Sequence, residues 1–364
     1  MERVSLQMGT KVYLDEYNDL HTISSAMGTV KHLRCSPEVV TLLQHVDTPQ
    51  TARHLYTILH SYYPLLCFDE FMTLLSRLAE EGIIRLNDLP PELAHSSFAL
   101  FLEELAPAQA EHIVHTLQTS TAIVIGVGTI GAAVATQLAQ CRVGQLILID
   151  PDHVEEGNLE RQFTYTRNDI GVPKALALQN FLQRRTPTQI VPVLKKIESS
   201  ADLKSILQRL ETLAVIVNCA DSPSVDYVAG CIAEAVHCTT PIPFIAGGGY
   251  SGHLGSVGPT FIPGQSICWL CYQQQTQNAR QIQDMSQWQL IASRPFTSTS
   301  THPAFGPLGI FISSLMASEA IWILTGLKEP LFLNRHGEWD LSQGAMIWRE
   351  VKASTTCPQC QSLI

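Results

Sequence analysis

The hydrophobic and polar positions of the chain follow two patterns, one before and one after about residue 90. In the first part, short segments at residues 11–14 and 20–23 predict two strands, and apolar residues then recur at helical spacing. In the second part, continuous apolar runs at residues 121–125, 145–149 and 214–217 predict buried strands, with helical segments between them. The pattern therefore predicts a small α+β domain followed by a larger α/β domain with a mostly parallel sheet.

Three helices and a returning strand at residues 83–86 complete the first domain. Strands followed by three helices and a strand form a winged-helix outline. The first helix is predicted to begin at Pro37 with Ser36 as its N-cap, and the second to begin at about Thr51. The third is predicted to begin at about Phe68, with Asp69 as its N-cap, and to end at Gly82.

Composition and charge limit the function. The 364 residues are 45% hydrophobic and 15% charged, which is typical of a folded protein with a large core. The net charge of −10 gives no general electrostatic footprint for nucleic acid, so we expect no nucleic-acid partner. Residues 1–110 carry 14 acidic and 7 basic side chains, so a partner of this part is expected to be basic rather than acidic.

The sequence predicts a cytoplasmic protein without a membrane partner. No apolar targeting segment follows the start of the chain. Residues 303–326 carry Glu319 as their only charge, but two prolines and three glycines favour a buried helix at the core or at a subunit interface. Ten cysteines in such a chain indicate metal ligands or buried thiols rather than disulfides.

A glycine-rich loop follows the first buried strand of the second domain. Gly126, Gly128 and Gly131 precede a helix predicted from Ala132, and such a loop lets phosphates approach the amides of a helix N-terminus. Asp150 ends the next strand, 19 residues beyond Gly131, where a carboxylate can accept hydrogen bonds from ribose hydroxyls. Taken alone, the pattern also fits an NAD-dependent oxidoreductase or a glycine turn without a ligand.

Polar residues beyond the loop argue against NAD. The glycine loop is followed by Asp150, Asp152, Asn158, Arg161, Gln162, Lys174 and Asp221. In this order and spacing the set resembles the ThiF/MoeB family of ATP-dependent activating enzymes, over about residues 120–360. The resemblance implies that a carboxylate attacks the α-phosphorus of ATP and that pyrophosphate leaves.

The same resemblance implies a role for each residue. Arg161, Lys174 and Asp221 are the expected catalytic residues, because the first two hold the phosphates and the third holds magnesium. The remaining expected ATP contacts are the three loop glycines, Asp150 at the ribose, Asn158 and Gln162 beside the phosphates, and Asp152 at the metal or phosphate side. Alternatively, Arg161 forms a surface ion pair, Lys174 is solvated, and Asp221 caps the following helix.

Two positions depart from the family pattern. Thr129 stands where the family commonly has a third glycine. The family also has an arginine before the first strand that reaches the ATP site of the other subunit, whereas this chain has no Lys or Arg between Arg85 and Arg142. That arginine is therefore absent or replaced from elsewhere.

Two CxxC pairs predict a structural zinc site. Cys268 and Cys271 form the first pair, and Cys357 and Cys360 form the second. Four thiolates complete a tetrahedral zinc site, which the resemblance to ThiF/MoeB-like proteins also implies. A redox-active CxxC is the alternative.

The crossover segment, residues 272–307, contains no cysteine. Family members that pass the acyl group to sulfur need a cysteine there, so we expect no thioester step. We interpret the segment as a mobile lid over the substrate. Arg280 and Arg294 are candidates for contacting a peptide carboxylate, or else are simply exposed arginines.

The first domain resembles the PqqD-like leader-peptide recognition element of peptide-modifying enzymes. The features that carry this resemblance are the helix start at Ser36-Pro37-Glu38, the second helix from Thr51, and the segment at residues 75–84. The expected domains are a leader-recognition domain at 1–87, a linker and helix at 88–120, and an adenylation domain at 121–364. The whole chain then resembles the branch with a leader-binding domain and a cysteine-free adenylation domain, which includes the microcin C and pantocin A peptide-adenylating enzymes.

This resemblance implies a homodimer that uses ATP, Mg²⁺ and Zn²⁺ to mature a ribosomally made precursor peptide in peptide antibiotic biosynthesis. The favoured reaction is adenylation of Glu side chains followed by intramolecular condensation to a ring. Adenylation of the peptide C-terminus with AMP retained is one alternative, and adenylation of a sulfur-carrier protein is another. An inactive partner of a heterodimer and an NAD oxidoreductase are further alternatives.

Overall fold

The chain folds into two compact units, Met1–His115 and Thr116–Ile364. The computed structural model describes residues 3–7, 9–17, 19–24, 29–87, 93, 96–106, 109–210, 212–238, 241–281, 304–355, 357 and 360. Each unit is described separately below.

The first unit pairs its helices with two small antiparallel sheets. Its strands and helices are β1 (Arg3–Leu6), β2 (Thr10–Leu14), β3 (Leu20–Ser24), β4 (Thr29–Leu33), α1 (Pro37–Leu43), β5 (Gln50–Thr51), α2 (Ala52–Tyr62), α3 (Phe68–Glu80), β6 (Ile84–Leu86), α4 (Ser97–Leu105) and α5 (Ala110–Gln118). The sheet orders are β5-β1-β6 and β2-β3-β4. Val4, Leu55, Phe71 and Leu75 lie in the core, with the apolar faces of α2 and α3 turned inward.

The helix starts agree with the sequence in part. Ser36 lies at the N-cap of α1 but makes no side-chain capping bond, whereas the Thr51 side chain caps α2. The prediction of Asp69 as the cap of α3 is wrong, because Asp69 already lies in the first turn of that helix. Cys67 is the N-cap, and its sulfur and backbone N–H exchange hydrogen bonds with Glu70.

The second unit contains a six-stranded and a four-stranded sheet. Its elements are β7 (Thr121–Ile125), α6 (Thr129–Gln140), β8 (Gln145–Ile149), α7 (Lys174–Gln183), β9 (Gln189–Val193), α8 (Ser200–Leu207), β10 (Ala214–Asn218), α9 (Val225–Cys238), β11 (Phe244–Ile245), β12 (Gly248–Ser251), β13 (Leu254–Val257), β14 (Thr260–Phe261), α10 (Trp269–Gln281), α11 (Gly306–Thr325), β15 (Arg335–Asp340) and β16 (Ala345–Glu350). Short 3₁₀ turns at Glu156–Asn158 and Arg167–Asp169 lie between β8 and α7.

The order of the six-stranded sheet places a ligand crevice at β7. The order is β14-β11-β10-β7-β8-β9, and β14 is the antiparallel strand at the edge. Because the chain runs from β7 to β8 and β9 on one side and to β10 and β11 on the other, β7 is a topological switch point. The predicted fold class, an α/β domain with a mostly parallel sheet after a small α+β domain, is confirmed.

Helix α11 is the main apolar element between the two sheets. Within the described parts of the chain, it is the helix that has the length and composition to cross a membrane, and half of its apolar window is buried. It packs against α6, β10, β12 and β13. Such burial is typical of a core helix.

Glu319, the only charged residue of α11, is fully buried. Its carboxylate accepts hydrogen bonds from the Thr260 hydroxyl at 2.6 Å, the Leu331 N–H at 2.7 Å and the Phe332 N–H at 2.9 Å. Burial raises the pKa of Glu319, and these three donors favour its charged form. The carboxylate therefore ties α11 to β14 and to the segment before β15.

We expect Glu319→Ala to lower the free energy of unfolding by about 3 kcal/mol, because two buried amides and a hydroxyl lose their acceptor. Glu319→Gln retains one acceptor oxygen and should lose less. The measurement is urea unfolding, with the exposed Glu329→Ala as a control that should change stability by less than about 0.5 kcal/mol. Equal stability of Glu319→Ala and the control would contradict the role of this carboxylate.

Candidate nucleotide site and cysteine cluster

The glycine loop joins the fully buried strand β7 to α6. Gly126 has a φ of +82°, a conformation that side chains disfavour. A Cβ atom on Gly131 would lie 1.8 Å from the Gly126 carbonyl oxygen, so the helix approaches the strand this closely only with glycine there. Because Gly128 is the N-cap, α6 begins at Thr129, three residues before the predicted start at Ala132.

Asp150 holds the loop from the end of β8. Its carboxylate accepts the Val127 N–H at 2.7 Å and the Asp152 N–H at 2.8 Å. Burial raises the pKa of Asp150, while these two amides and the charge of Lys174 favour the ionised form. The carboxylate therefore joins the loop to the end of β8, the position predicted to receive a ribose.

Lys174 lies beside Asp152 at the start of α7. Its Nζ donates to Asp152 Oδ2 at 3.0 Å, and its side chain is 11% exposed. A solvated lysine is therefore the wrong description of this residue. The ammonium donates to Asp152 and its charge acts on the nearby Asp150. Its predicted contact with the phosphates of a nucleotide stays a prediction.

Asn158 is the last residue of the first 3₁₀ turn, and Arg161 lies in the loop that follows it. Asn158 is buried, and its Oδ1 accepts the Glu155 N–H at 3.0 Å. Arg161 donates through Nη1 to the Gly157 carbonyl at 2.6 Å and lies 3.5 Å from Glu160. These two contacts hold the guanidinium on its own loop, and its predicted phosphate contact stays a prediction.

Gln162 carries an unsatisfied polar atom beside the glycine loop. The residue is 5% exposed, and Oε1 is buried without a hydrogen-bond partner among the described residues. Its Nε2 lies 3.7 Å from where a Cβ on Gly128 would be. A buried amide oxygen without a partner favours a polar ligand at this position, and a nucleotide fits this requirement.

Asp221 is exposed after β10, next to the loop. Its neighbour Ala220 lies 2.8 Å from where a Cβ on Gly126 would be. Ser224 accepts the Tyr227 N–H at the start of α9, so the alternative role of Asp221 as a helix cap is not seen. Asp221 thus lies exposed at the carboxyl edge of the sheet, and its role as a magnesium ligand stays a prediction.

Asn218 is a supporting residue that the sequence analysis did not assign. It is fully buried, and its Nδ2 donates to the Val225 and Ala246 carbonyls at 3.1 and 2.7 Å. Its Oδ1 accepts the Ala220 N–H at 3.2 Å. The Asn218 amide thereby fixes the turn that carries Asp221. In the sequence, the signal for this role was the position of Asn218 at the end of a buried apolar strand.

A cleft of about 720 Å³ opens beside this turn, at the same edge of the sheet. Asp226, His336, Glu338 and Arg349 line it, and an ion pair of 3.4 Å joins the last two. Burial and the neighbouring Arg349 lower the pKa of His336. Another cavity, of about 670 Å³, lies beside Cys268, and neither of these two cavities is lined by a predicted nucleotide residue.

The four predicted zinc ligands lie together. Their sulfur atoms are within 4.8 Å of one another, with 3.5 Å between Cys268 and Cys357 and 3.7 Å between Cys271 and Cys360. Tetrahedral zinc with bonds of about 2.3 Å places sulfurs about 3.8 Å apart, whereas a disulfide needs about 2.05 Å. Backbone N–H groups of Cys268 and Ser354 donate to two of the sulfurs, so the cluster fits a structural zinc ion.

The predicted lid and peptide contacts lie mostly outside the described residues. Residues 272–281 of the crossover segment belong to α10, and α11 begins at Gly306. Residues 282–303, with Arg294, lie outside the described residues, as does the side chain of Arg280. Their assignment to the peptide stays a prediction.

Comparison with known proteins gives a family and two whole-chain structural relatives. The model of the ThiF family matches residues 102–362. The sulfur carrier protein ThiS adenylyltransferase of Escherichia coli (strain K12) is 28% identical over 249 residues, which make up 67% of this chain and 87% of that protein.

Two solved structures cover nearly the whole chain. E. coli MccB, crystallised with ATP, has a TM-score of 0.68 at 19% identity and covers 98% of this chain and 99% of MccB. PaaA has a TM-score of 0.65 at 17% identity, covering 94% of this chain and 98% of PaaA. The predicted likeness to this branch is therefore confirmed at the level of the fold.

We expect about one zinc ion per chain, held by the four cysteines. Cys357→Ser should lower the zinc content and the melting temperature, because three thiolates bind zinc more weakly than four. Elemental analysis and thermal unfolding check this, with Cys67→Ser, at an exposed cysteine outside the cluster, as a control for zinc content. Absence of metal from freshly purified, unchelated protein would contradict the assignment.

Proposed function

This chain belongs to the ThiF family, and we propose that it adenylates a carboxylate of a ribosomally made precursor peptide with ATP. The observation that carries the proposal is how much of the chain each relative covers. In sequence, the sulfur-carrier enzyme of E. coli matches 67% of the chain. In structure, MccB and PaaA cover 98% and 94% of it, so the likeness of fold extends over the first unit. Structures of MccB with MccA make a peptide the favoured substrate here.

The side chains of the nucleotide site support the first step. In this proposal, Asp150 receives the ribose, and the amides at the start of α6 receive phosphate oxygens. Lys174 leaves Asp152, and Arg161 leaves the Gly157 carbonyl, to neutralise the phosphates while Asp221 holds magnesium. Magnesium supplies charge neutralisation as pyrophosphate leaves, so the chain's work is positioning and electrostatics.

For the second step we propose attack on the acyl adenylate by a group of the same peptide. Activation of a Glu side chain, release of AMP and closure of a ring would then remove one water from the peptide. The absence of cysteine from residues 272–307 favours a route without a thioester. Retention of AMP on the peptide C-terminus is the alternative reaction.

We propose that the first unit binds the leader of this peptide as a PqqD-like element. Strand β2 pairs only with β3 among the described strands, so it presents an open edge to an added strand. Tyr13 and Leu14 on β2 are 50% and 45% exposed. The excess of acidic over basic side chains in residues 1–110 favours a leader with net positive charge.

We also propose a homodimer, with α11 as a candidate contact. Phe305 and Phe311, near the start of this helix, are 47% and 39% exposed although most of its other apolar residues are buried. Apolar side chains of this kind are typical of subunit interfaces.

The decisive experiment gives the purified enzyme ATP, magnesium and the peptide encoded nearest its gene. We expect pyrophosphate release and a product lighter by one water per activation, without phosphorus, in the mass spectrum. Asp221→Ala should abolish both, because an unneutralised triphosphate is a poor electrophile. Glu329→Ala, at an exposed site, is the matched control.

A product that retains AMP would replace ring closure with C-terminal nucleotide attachment. Normal turnover of Asp221→Ala would refute the magnesium assignment. Activation of a sulfur-carrier protein, with no reaction of any peptide, would favour the family's other substrate class.

For the leader, we expect Tyr13→Ser to raise the KM for the peptide about 10-fold, as loss of one buried aromatic contact predicts. The kcat at saturating peptide should stay unchanged, because leader binding acts through effective concentration. Tyr62→Ser, at an exposed tyrosine on α2, serves as the control. A lower kcat with an unchanged KM would argue against leader docking on β2.

A further inference from the structure

Thr129 occupies the first position of α6, directly after the glycine loop. It is 8% exposed. In a helix the Cα–Cβ bond tilts toward the N-terminus, so the Thr129 side chain leans toward the loop rather than along the helix. A hydroxyl at this position adjoins the amides that receive phosphates in the proposed function.

Tyr250 contacts this hydroxyl from β12. Its phenolic O–H donates to Thr129 Oγ1 at 3.2 Å. Because the threonine oxygen already accepts this bond, its own proton is free to donate elsewhere. The two hydroxyls therefore form a short relay that ends at the glycine loop.

Gly309 of α11 fits against both side chains. A Cβ atom there would lie 2.9 Å from Thr129 Cγ2 and 2.9 Å from Tyr250 Cε1. Any other residue would push the two side chains from their positions, since such distances are too short for carbon contacts. Three residues far apart in sequence are thus fitted to one another beside the loop.

Gln162 indicates independently that a polar ligand belongs here. Its Oε1 is buried and has no partner among the described atoms, and its amide lies against Gly128. Gly128 is the residue before Thr129. The unsatisfied amide and the threonine hydroxyl therefore flank the same loop.

We propose that the Thr129 hydroxyl donates a hydrogen bond to a phosphate oxygen of ATP and that Tyr250 orients it as a positioning residue. The inference rests on the proposed function, and it adds a side-chain donor to a loop otherwise expected to bind phosphate through backbone amides. It also gives Thr129, which departs from the family pattern, a chemical role.

The test measures binding of ATP with magnesium, and of adenosine, to the full-length zinc-loaded protein by calorimetry. For Thr129→Val we expect about a 10-fold loss of ATP affinity, as for a hydrogen bond to a charged group, with adenosine affinity unchanged. Thr129→Ser restores the hydroxyl and should recover most of the loss. Tyr250→Phe alone should lower the affinity for ATP about 3-fold. In a protein that already carries Thr129→Val, the same substitution should leave the affinity unchanged.

The outcomes separate the inference from the function it rests on. If the native protein binds no ATP, the proposed function fails and the inference fails with it. If the native protein binds ATP and Thr129→Val binds it equally well, the phosphate contact is refuted while the proposed function stands. The same holds if Thr129→Val lowers the affinities for ATP and adenosine by the same factor. Should Thr129→Val not fold, an unchanged ratio of ATP to adenosine affinity in Tyr250→Phe refutes the relay.

Discussion

The buried carboxylate of Asp150 is the interaction on which the nucleotide site depends. It accepts two backbone amides, one from the glycine loop and one from the segment after β8. Burial disfavours the ionised carboxylate, and the two amide donors together with the nearby ammonium of Lys174 offset that cost. The glycine loop, Asp150 and Lys174 are therefore coupled electrostatically, and in the proposed function a triphosphate at the loop would compete with Asp152 for the ammonium of Lys174.

Close packing between α6 and α11 connects the glycine loop to the rest of the second unit. Gln137 of α6 donates to Ser313 of α11 at 3.1 Å, and Gly309 allows the two helices to meet around Thr129. Further along α11, Glu319 accepts the amides that precede β15. One helix thus links the start of the nucleotide loop to the four-stranded sheet, in a core where small changes of volume are felt.

Local sequence signals predicted the centre of the second unit well. About 30 residues contain β7, the glycine loop, β8 and Asp150. Each of these features can be recognised from residues adjacent to it in the sequence. The strands of two residues, β5, β11 and β14, are too short to show a period, so they could not be predicted. The cap of α3 was misassigned because Asp is a commoner cap than Cys, and hydrogen bonds rather than residue preference decide the position.

The supporting contacts of the site were beyond prediction for another reason. The bond from Tyr250 to Thr129 spans 121 positions, and neither residue has a pattern that points to the other. An asparagine at the end of an apolar strand, such as Asn218, is not distinctive in sequence. Only the fold shows that its amide donates to the carbonyls of Val225 and Ala246. The ligand roles of Arg161, Lys174 and Asp221 rest on resemblance and stay predictions.

The cysteine cluster has a consequence for the unfolded chain. Zinc bound to it would join Cys268 to Cys360, so the four-stranded sheet's last strands and α11 would lie within one closed loop. In the unfolded chain, where the four cysteines are not brought together, that loop is free, so zinc binding to the folded chain would offset the entropy of closing it without requiring an oxidising environment. Folding would then be linked to metal by mass action, and the folded fraction of this unit would rise and fall with the free zinc concentration around it.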